Sequence, residues 1–219
     1  MYTAMLRAQW KSMAPATLVL ALIVFAVPVW QLVGAQVLAG GTRTELALPI
    51  LGALISTSGV YPLLAYVGGS LLAAGSWWDD FQGKHVYALV LPVPRWYYLL
   101  VRMATGLTFV AAVVIALWLS AVIASGMVNL PQGLHAYPGG LAVRFALATS
   151  VAFVITFTLC SASQTVLRIV LWSVLGMLVL SLLIALMGQP SPAVWLINSI
   201  LRWPGIVDTF VGRWTFIDV

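Results

Sequence analysis

Apolar residues are gathered into five long runs separated by short polar gaps: Thr17–Leu38, Leu48–Gly75, Leu99–Val128, Leu141–Ser163 and Ile169–Met187. Each reaches the ~20 residues that a helix rising 1.5 Å per residue needs to cross hydrocarbon. The pattern therefore predicts an all-α integral membrane protein with five transmembrane helices. Pro28 and Pro62 fall inside the first and second runs, where a proline is expected to kink the helix. Small residues recur every fourth position at Ala65, Gly69 and Ala73, at Ala112, Ala116, Ser120 and Ala124, and at Ala148, Ala152, Thr156 and Cys160. Such ridges let helix backbones approach closely in lipid.

The flanks have a different periodicity. In residues 1–14, Tyr2, Met5, Leu6, Gln9, Trp10 and Met13 fall on one side of a helix and Arg7 and Lys11 on the other. This predicts a separate interfacial helix lying flat, with Trp10 at headgroup depth. The first apolar run is too long for the core of a signal peptide. Residues 188–219 are broken by Pro190, Pro192 and Pro204 and carry Trp195, Trp203 and Trp214. They read as an amphipathic outer tail of interfacial or re-entrant helices. The loop Asn129–Gly140 is rich in turn formers, and His135 reads as a solvated histidine with no neighbouring metal ligand in sequence. Spans four and five are close enough to form a helical hairpin.

Composition reinforces this picture. Apolar residues make up 63% of the 219-residue chain and charged residues 7%, with a mean hydropathy of +1.07. Soluble domains carry about a quarter charged residues. All 219 residues are expected in one transmembrane domain. The net charge of +5 sits in the gaps between spans, so it reads as a topology signal and not as a nucleic-acid surface. With the N-terminus in the cytoplasm, Arg7, Lys11, Lys84, Arg95, Arg102 and Arg168 all lie inside. Arg43 and Arg144 lie outside, joined by Arg202 and Arg213 if the tail is outside too. The single cysteine, Cys160, reads as a small apolar packing residue.

One stretch collects acids, bases, aromatics and paired prolines: Ser76–Arg102, SWWDDFQGKHVYALVLPVPRWYYLLVR. Topology puts its 77–97 loop in the cytoplasm. From Trp78 to Leu91 the spacing predicts a short amphipathic helix with Trp78 and Phe81 on its apolar face. Asp79 and Asp80 complement the helix dipole at its start, and Asp80 and Lys84 form an acid-first pair. Pro92 and Pro94 stop it. Trp77, Trp96, Tyr97 and Tyr98 then serve with Arg95 to hold the chain at the membrane face, and Arg102 is expected to snorkel to the interface.

The order of these elements, with the acidic pair, Gly83, LPVPR at Leu91–Arg95 and the tyrosine-to-arginine entry into the third span, resembles the type-2 ABC exporter permeases. The likeness in element order covers Met1–Met187 and the likeness in residues is concentrated in Trp77–Arg102. It implies that this loop is a cytoplasmic coupling helix docking on a separate ATPase, with Asp79, Asp80, Gly83, Lys84, His85 and Arg95 at the contact and the aromatics packed on the permease. It also implies a permease pair, homodimeric or with a homologous partner, in the cell membrane. ATP and magnesium would be held by the ATPase chain, since no phosphate-loop motif occurs here. The family closes with a sixth span; the 188–219 tail resembles the outer segment that precedes it, so either a sixth helix follows Val219 or the chain is a five-span variant that ends outside.

Three other readings compete with this one. A haem-exporter permease of cytochrome c maturation has the same loop logic, yet neither His85 nor His135 is an evident axial ligand. A lipid-modifying enzyme needs converging acids, histidines or metal ligands, and the chain has five carboxylates and two histidines. A non-transporting structural subunit fits the hydropathy equally well. Because the spans hold almost no ionisable residue away from their ends, an amphipathic or apolar cargo is expected over a small ion.

Overall fold

A computed structural model of the chain describes residues 2–39, 59–78, 94–127, 135–161, 169, 210, 214–215 and 217–218. The chain divides into two compact units, one of residues 1–157 with 213–219 and one of residues 158–212. Four helices and one two-residue strand pair make up the described part: α1 Tyr2–Ala39, α2 Val60–Ser76, α3 Arg95–Met127, β1 His135–Ala136, α4 Pro138–Ser161 and β2 Ile217–Asp218. Within α1, α3 and α4, the segments Met13–Gln31, Trp96–Met127 and Pro138–Ser161 are long and apolar enough to cross a membrane, and α2 is a shorter apolar helix.

In α1 the structure departs from the expected break between an interfacial helix and a first span. The helix runs unbroken for 38 residues, about 57 Å at 1.5 Å per residue. Pro15 and Pro28 both lie inside it. A proline removes one backbone donor, but no charge or glycine interrupts Met13–Thr17, and an apolar medium favours keeping every other backbone bond inside the helix. Beside Pro15 the Thr17 hydroxyl adds a bond to the Met13 carbonyl at 2.9 Å.

Helix α2 corrects a second expectation. It begins at Val60 after Gly59, so Pro62 stands in its first turn, where a backbone donor has no intrahelical partner to lose. The early part of the second run, residues 48–58, lies outside the described residues. The first turn of α3 contains Trp96, Tyr97 and Tyr98, four residues earlier than the predicted span. The Pro94 carbonyl accepts from the Tyr97 and Tyr98 amides at 3.0 and 3.1 Å. The 77–97 loop is thus shortened at its C-terminal side.

Contacts set the directions of the helices. Trp10 stacks on Phe109 with centroids 5.7 Å apart, and the Ser120 hydroxyl donates to the Phe25 carbonyl, so α1 and α3 run the same way. Gly68 lies against Leu20 and Gly75 against Met13, so α2 runs opposite to α1. The tightest approach joins α2 to α4: a Cβ at Gly69 would stand 2.5 Å from the Thr149 carbonyl oxygen and 2.9 Å from the Ala152 Cβ. One residue on, the Thr156 hydroxyl donates to Ser70 Oγ at 3.1 Å. Phe153 of α4 fills the space over Gly106 of α3.

Two of the predicted small ridges are buried faces. Ala65, Gly69 and Ala73 face inward on α2, and Ala148, Ala152 and Cys160 are buried on α4. The ridge on α3 splits, because Ser120 and Ala124 are buried whereas Ala112 is exposed. The buried stripe there is carried by Phe109, Val113, Leu117, Ala121 and Ala124, while the bulky Ile115, Trp118, Leu119 and Ile123 are exposed. The fifth span, apart from Ile169, and most of the tail fall outside the described residues. Of the last residues of the tail, 214–215 and 217–218 are described. Trp214 and Ile217 are fully buried, and Ile217–Asp218 pairs antiparallel with Ala136–His135.

Candidate functional site

The C-terminal end of α2 and the first turns of α3 meet at one cluster. A helix leaves its last four carbonyls without intrahelical donors, and here the Ser76 carbonyl is served from another helix. Arg102 donates to it from Nε at 2.7 Å and again from Nη2. Its Nη1 donates to the Tyr98 hydroxyl one turn earlier on α3. The guanidinium carbon lies 4.6 Å from the centroid of the Trp77 ring and 5.5 Å from that of Tyr98. Trp77 in turn packs on Phe157 of α4 at 5.3 Å. A cation at a helix C-terminus complements the dipole, and rings on a desolvated guanidinium add about 2 kcal/mol.

Arg102 therefore corrects its predicted role. It is 4% exposed and spends its donors inside the protein, where a snorkelling side chain would spend them on water and headgroups. Trp77 and Tyr98 are buried with it, whereas Trp10, Trp78, Trp96 and Tyr97 are exposed, with Trp96 and Tyr97 in edge-on contact at 5.9 Å. The sequence signal for the cluster was present: Tyr98 and Arg102 stand four apart on one helical face, and Trp77 closes the preceding helix. Arg95 opens α3. Asp79, Asp80, Phe81, Gly83, Lys84 and His85 lie outside the described residues.

Beside the cluster, Met13, Ala16, Leu20, Leu71, Leu72, Gly75 and Trp78 line an open groove of about 270 Å³ between α1 and α2. At the opposite end of α2, the Tyr61 hydroxyl donates to Gln31 Oε1 at 2.6 Å. The Tyr61 ring is stacked on Trp214 at 6.5 Å, and Arg144 of α4 lies over Trp214 at 5.1 Å. No local spacing signals this second cluster, because Trp214 stands 70 residues beyond Arg144 and 153 beyond Tyr61. His135, expected to be solvated, is exposed and lies 6.4 Å from the Tyr137 ring. Midway between the clusters, the Thr149 hydroxyl is fully buried and bonds to no partner among the described residues. No group of three or more His, Cys, Asp or Glu suited to a metal occurs among the described residues.

No protein-family model, no curated protein and no solved structure matches this chain.

Proposed function

We propose that the chain is the permease subunit of an ATP-driven exporter, working as a pair and moving an amphipathic or apolar substrate across the cell membrane. The N-terminus lies in the cytoplasm, and a separate ATPase chain carries ATP and magnesium. The observation that carries this reading is the junction of α2 and α3. Trp77 and Arg102 bring the end of α2 against the start of α3, so the two described ends that flank residues 79–93 are held together. A segment that gathers Asp79, Asp80, Lys84 and His85 in its first half and is followed by Pro92 and Pro94 suits a mechanical contact with a cytoplasmic partner better than it suits catalysis. Asp79, Asp80, Gly83, Lys84, His85 and Arg95 form the contact surface in this reading.

Affinity purification of the chain from its native membrane should bring down an ATPase. Replacing Asp80 and Lys84 together by alanine should lower its recovery at least tenfold while the permease itself remains folded and inserted. A stable complex that contains no ATPase would refute the reading. Five spans and a cytoplasmic N-terminus also place Val219 outside. A C-terminal tag on these 219 residues should then resist protease in sealed inverted vesicles.

A further inference from the structure

We infer that Arg102 is a mechanical clamp that makes the end of α2 and the start of α3 move as one body, so that a displacement of the 79–93 segment reaches both helices together. The use of such a clamp in transport rests on the reading above; its existence as a rigid joint does not.

Elsewhere α2 meets its neighbours through the close approach at Gly69 and through bonds between side chains, Tyr61 to Gln31 and Thr156 to Ser70. At Ser76 the link is to the backbone itself: Nε and Nη2 of one planar guanidinium converge on one carbonyl. That fork fixes direction as well as distance. Two further constraints hold the guanidinium plane. The Tyr98 hydroxyl occupies Nη1, and the Trp77 and Tyr98 rings lie against the group. Trp77 is itself held at the α2 C-terminus, where its amide bonds to the Ala74 carbonyl at 3.1 Å, and the Ser76 hydroxyl bonds to the Ala73 carbonyl at 2.6 Å. Below Arg102, its own carbonyl accepts from the Thr105 hydroxyl at 2.8 Å. Water, which would lubricate such a joint by exchanging with its bonds, is largely kept from Trp77, Tyr98 and Arg102, all of them buried. A lysine in place of Arg102 would keep the charge but lose the fork and most of the stacking.

Pulsed electron-electron resonance on the full chain in nanodiscs tests the joint without any partner. Nitroxide labels are placed at Trp78→Cys and Trp96→Cys, both exposed, in a Cys160→Ala background. The parent should give one narrow distance distribution. Arg102→Met should widen it at least twofold, Arg102→Lys by less, and Tyr98→Phe by the least. Helical content and monodispersity are checked for each variant, and if Arg102→Met does not fold, Arg102→Lys and Tyr98→Phe decide. Widths equal to the parent's in the folded variants would overturn the clamp. Its failure is distinguishable from that of the transport reading. A widened distribution in a chain that recovers no ATPase upholds the clamp and removes the exporter. An unchanged width in a chain that does recover one removes the clamp and leaves the exporter.

Discussion

At one end of α2, Arg102 is buried against Trp77 and Tyr98 and donates to a backbone carbonyl; at the other, half-buried Arg144 lies over Trp214, a ring delivered by the tail. Both pair a cation with an aromatic face, yet they hold different things. The first joins α2 and α3 through a main-chain atom, the Ser76 carbonyl, so the acceptor has no rotamer to exchange. The second holds a segment distant in sequence on the helices through the Arg144 and Tyr61 side chains against Trp214 and the two-residue strand pair between His135–Ala136 and Ile217–Asp218. A joint built on a carbonyl resists sliding, whereas one built on a ring resists mainly removal of the ring.

The strongest way to break this comparison is to remove what both ends share. Gly69→Val forces a branched side chain into the Thr149 carbonyl and the Phe153 amide, which as backbone atoms cannot step aside. The expected loss is about 3 kcal/mol, seen as a large fall in thermal stability in detergent by intrinsic fluorescence. If the valine is tolerated, the α2–α4 contact is looser than described.

Next in size, Arg102→Met should cost about 2–3 kcal/mol, combining charge-assisted hydrogen bonds with a desolvated cation over rings. In a double-mutant cycle it should couple to Trp77→Leu and be additive with changes around Trp214. Arg144→Met should cost about 1 kcal/mol, since a half-buried cation keeps some hydration in either form. Equal losses at the two arginines would erase the distinction drawn between the ends. The smallest effect has the opposite sign. Thr149→Val removes a buried hydroxyl that bonds to no described partner and should raise stability by up to about 1 kcal/mol, measured by the same unfolding assay.

Hydropathy made the helices legible because a 19-residue apolar segment such as Met13–Gln31 has few alternatives in lipid. It also exposed the small ridge at Ala65, Gly69 and Ala73, where backbone approach demands small residues. It failed where the deciding partner is remote. Arg102 reads as an anchor from its place at the head of a span; its spacing from Tyr98 hints at a pair, but its main acceptor, the Ser76 carbonyl, lies on another helix. Trp214 reads as interfacial because tryptophans commonly are, and its burial depends on Tyr61 and Arg144, which no local period connects to it. Pro62 misled for a different reason: its meaning turns on where the helix starts, and an apolar run does not mark its own first turn.

Gly69 also acts as a ruler. No side chain of its own stands between α2 and α4 there, and the residues one turn away, Ala65 and Ala73, each carry a Cβ in the same buried row. A shift of α2 by one turn, about 5.4 Å, would bring one of those methyl groups to the place where a Cβ meets the Thr149 carbonyl at 2.5 Å. The two helices therefore share a single axial setting. That setting places Tyr61 at the height of Trp214 and Trp77 at the height of Phe157 at once, so the alignment of both clusters is set by one missing methyl group.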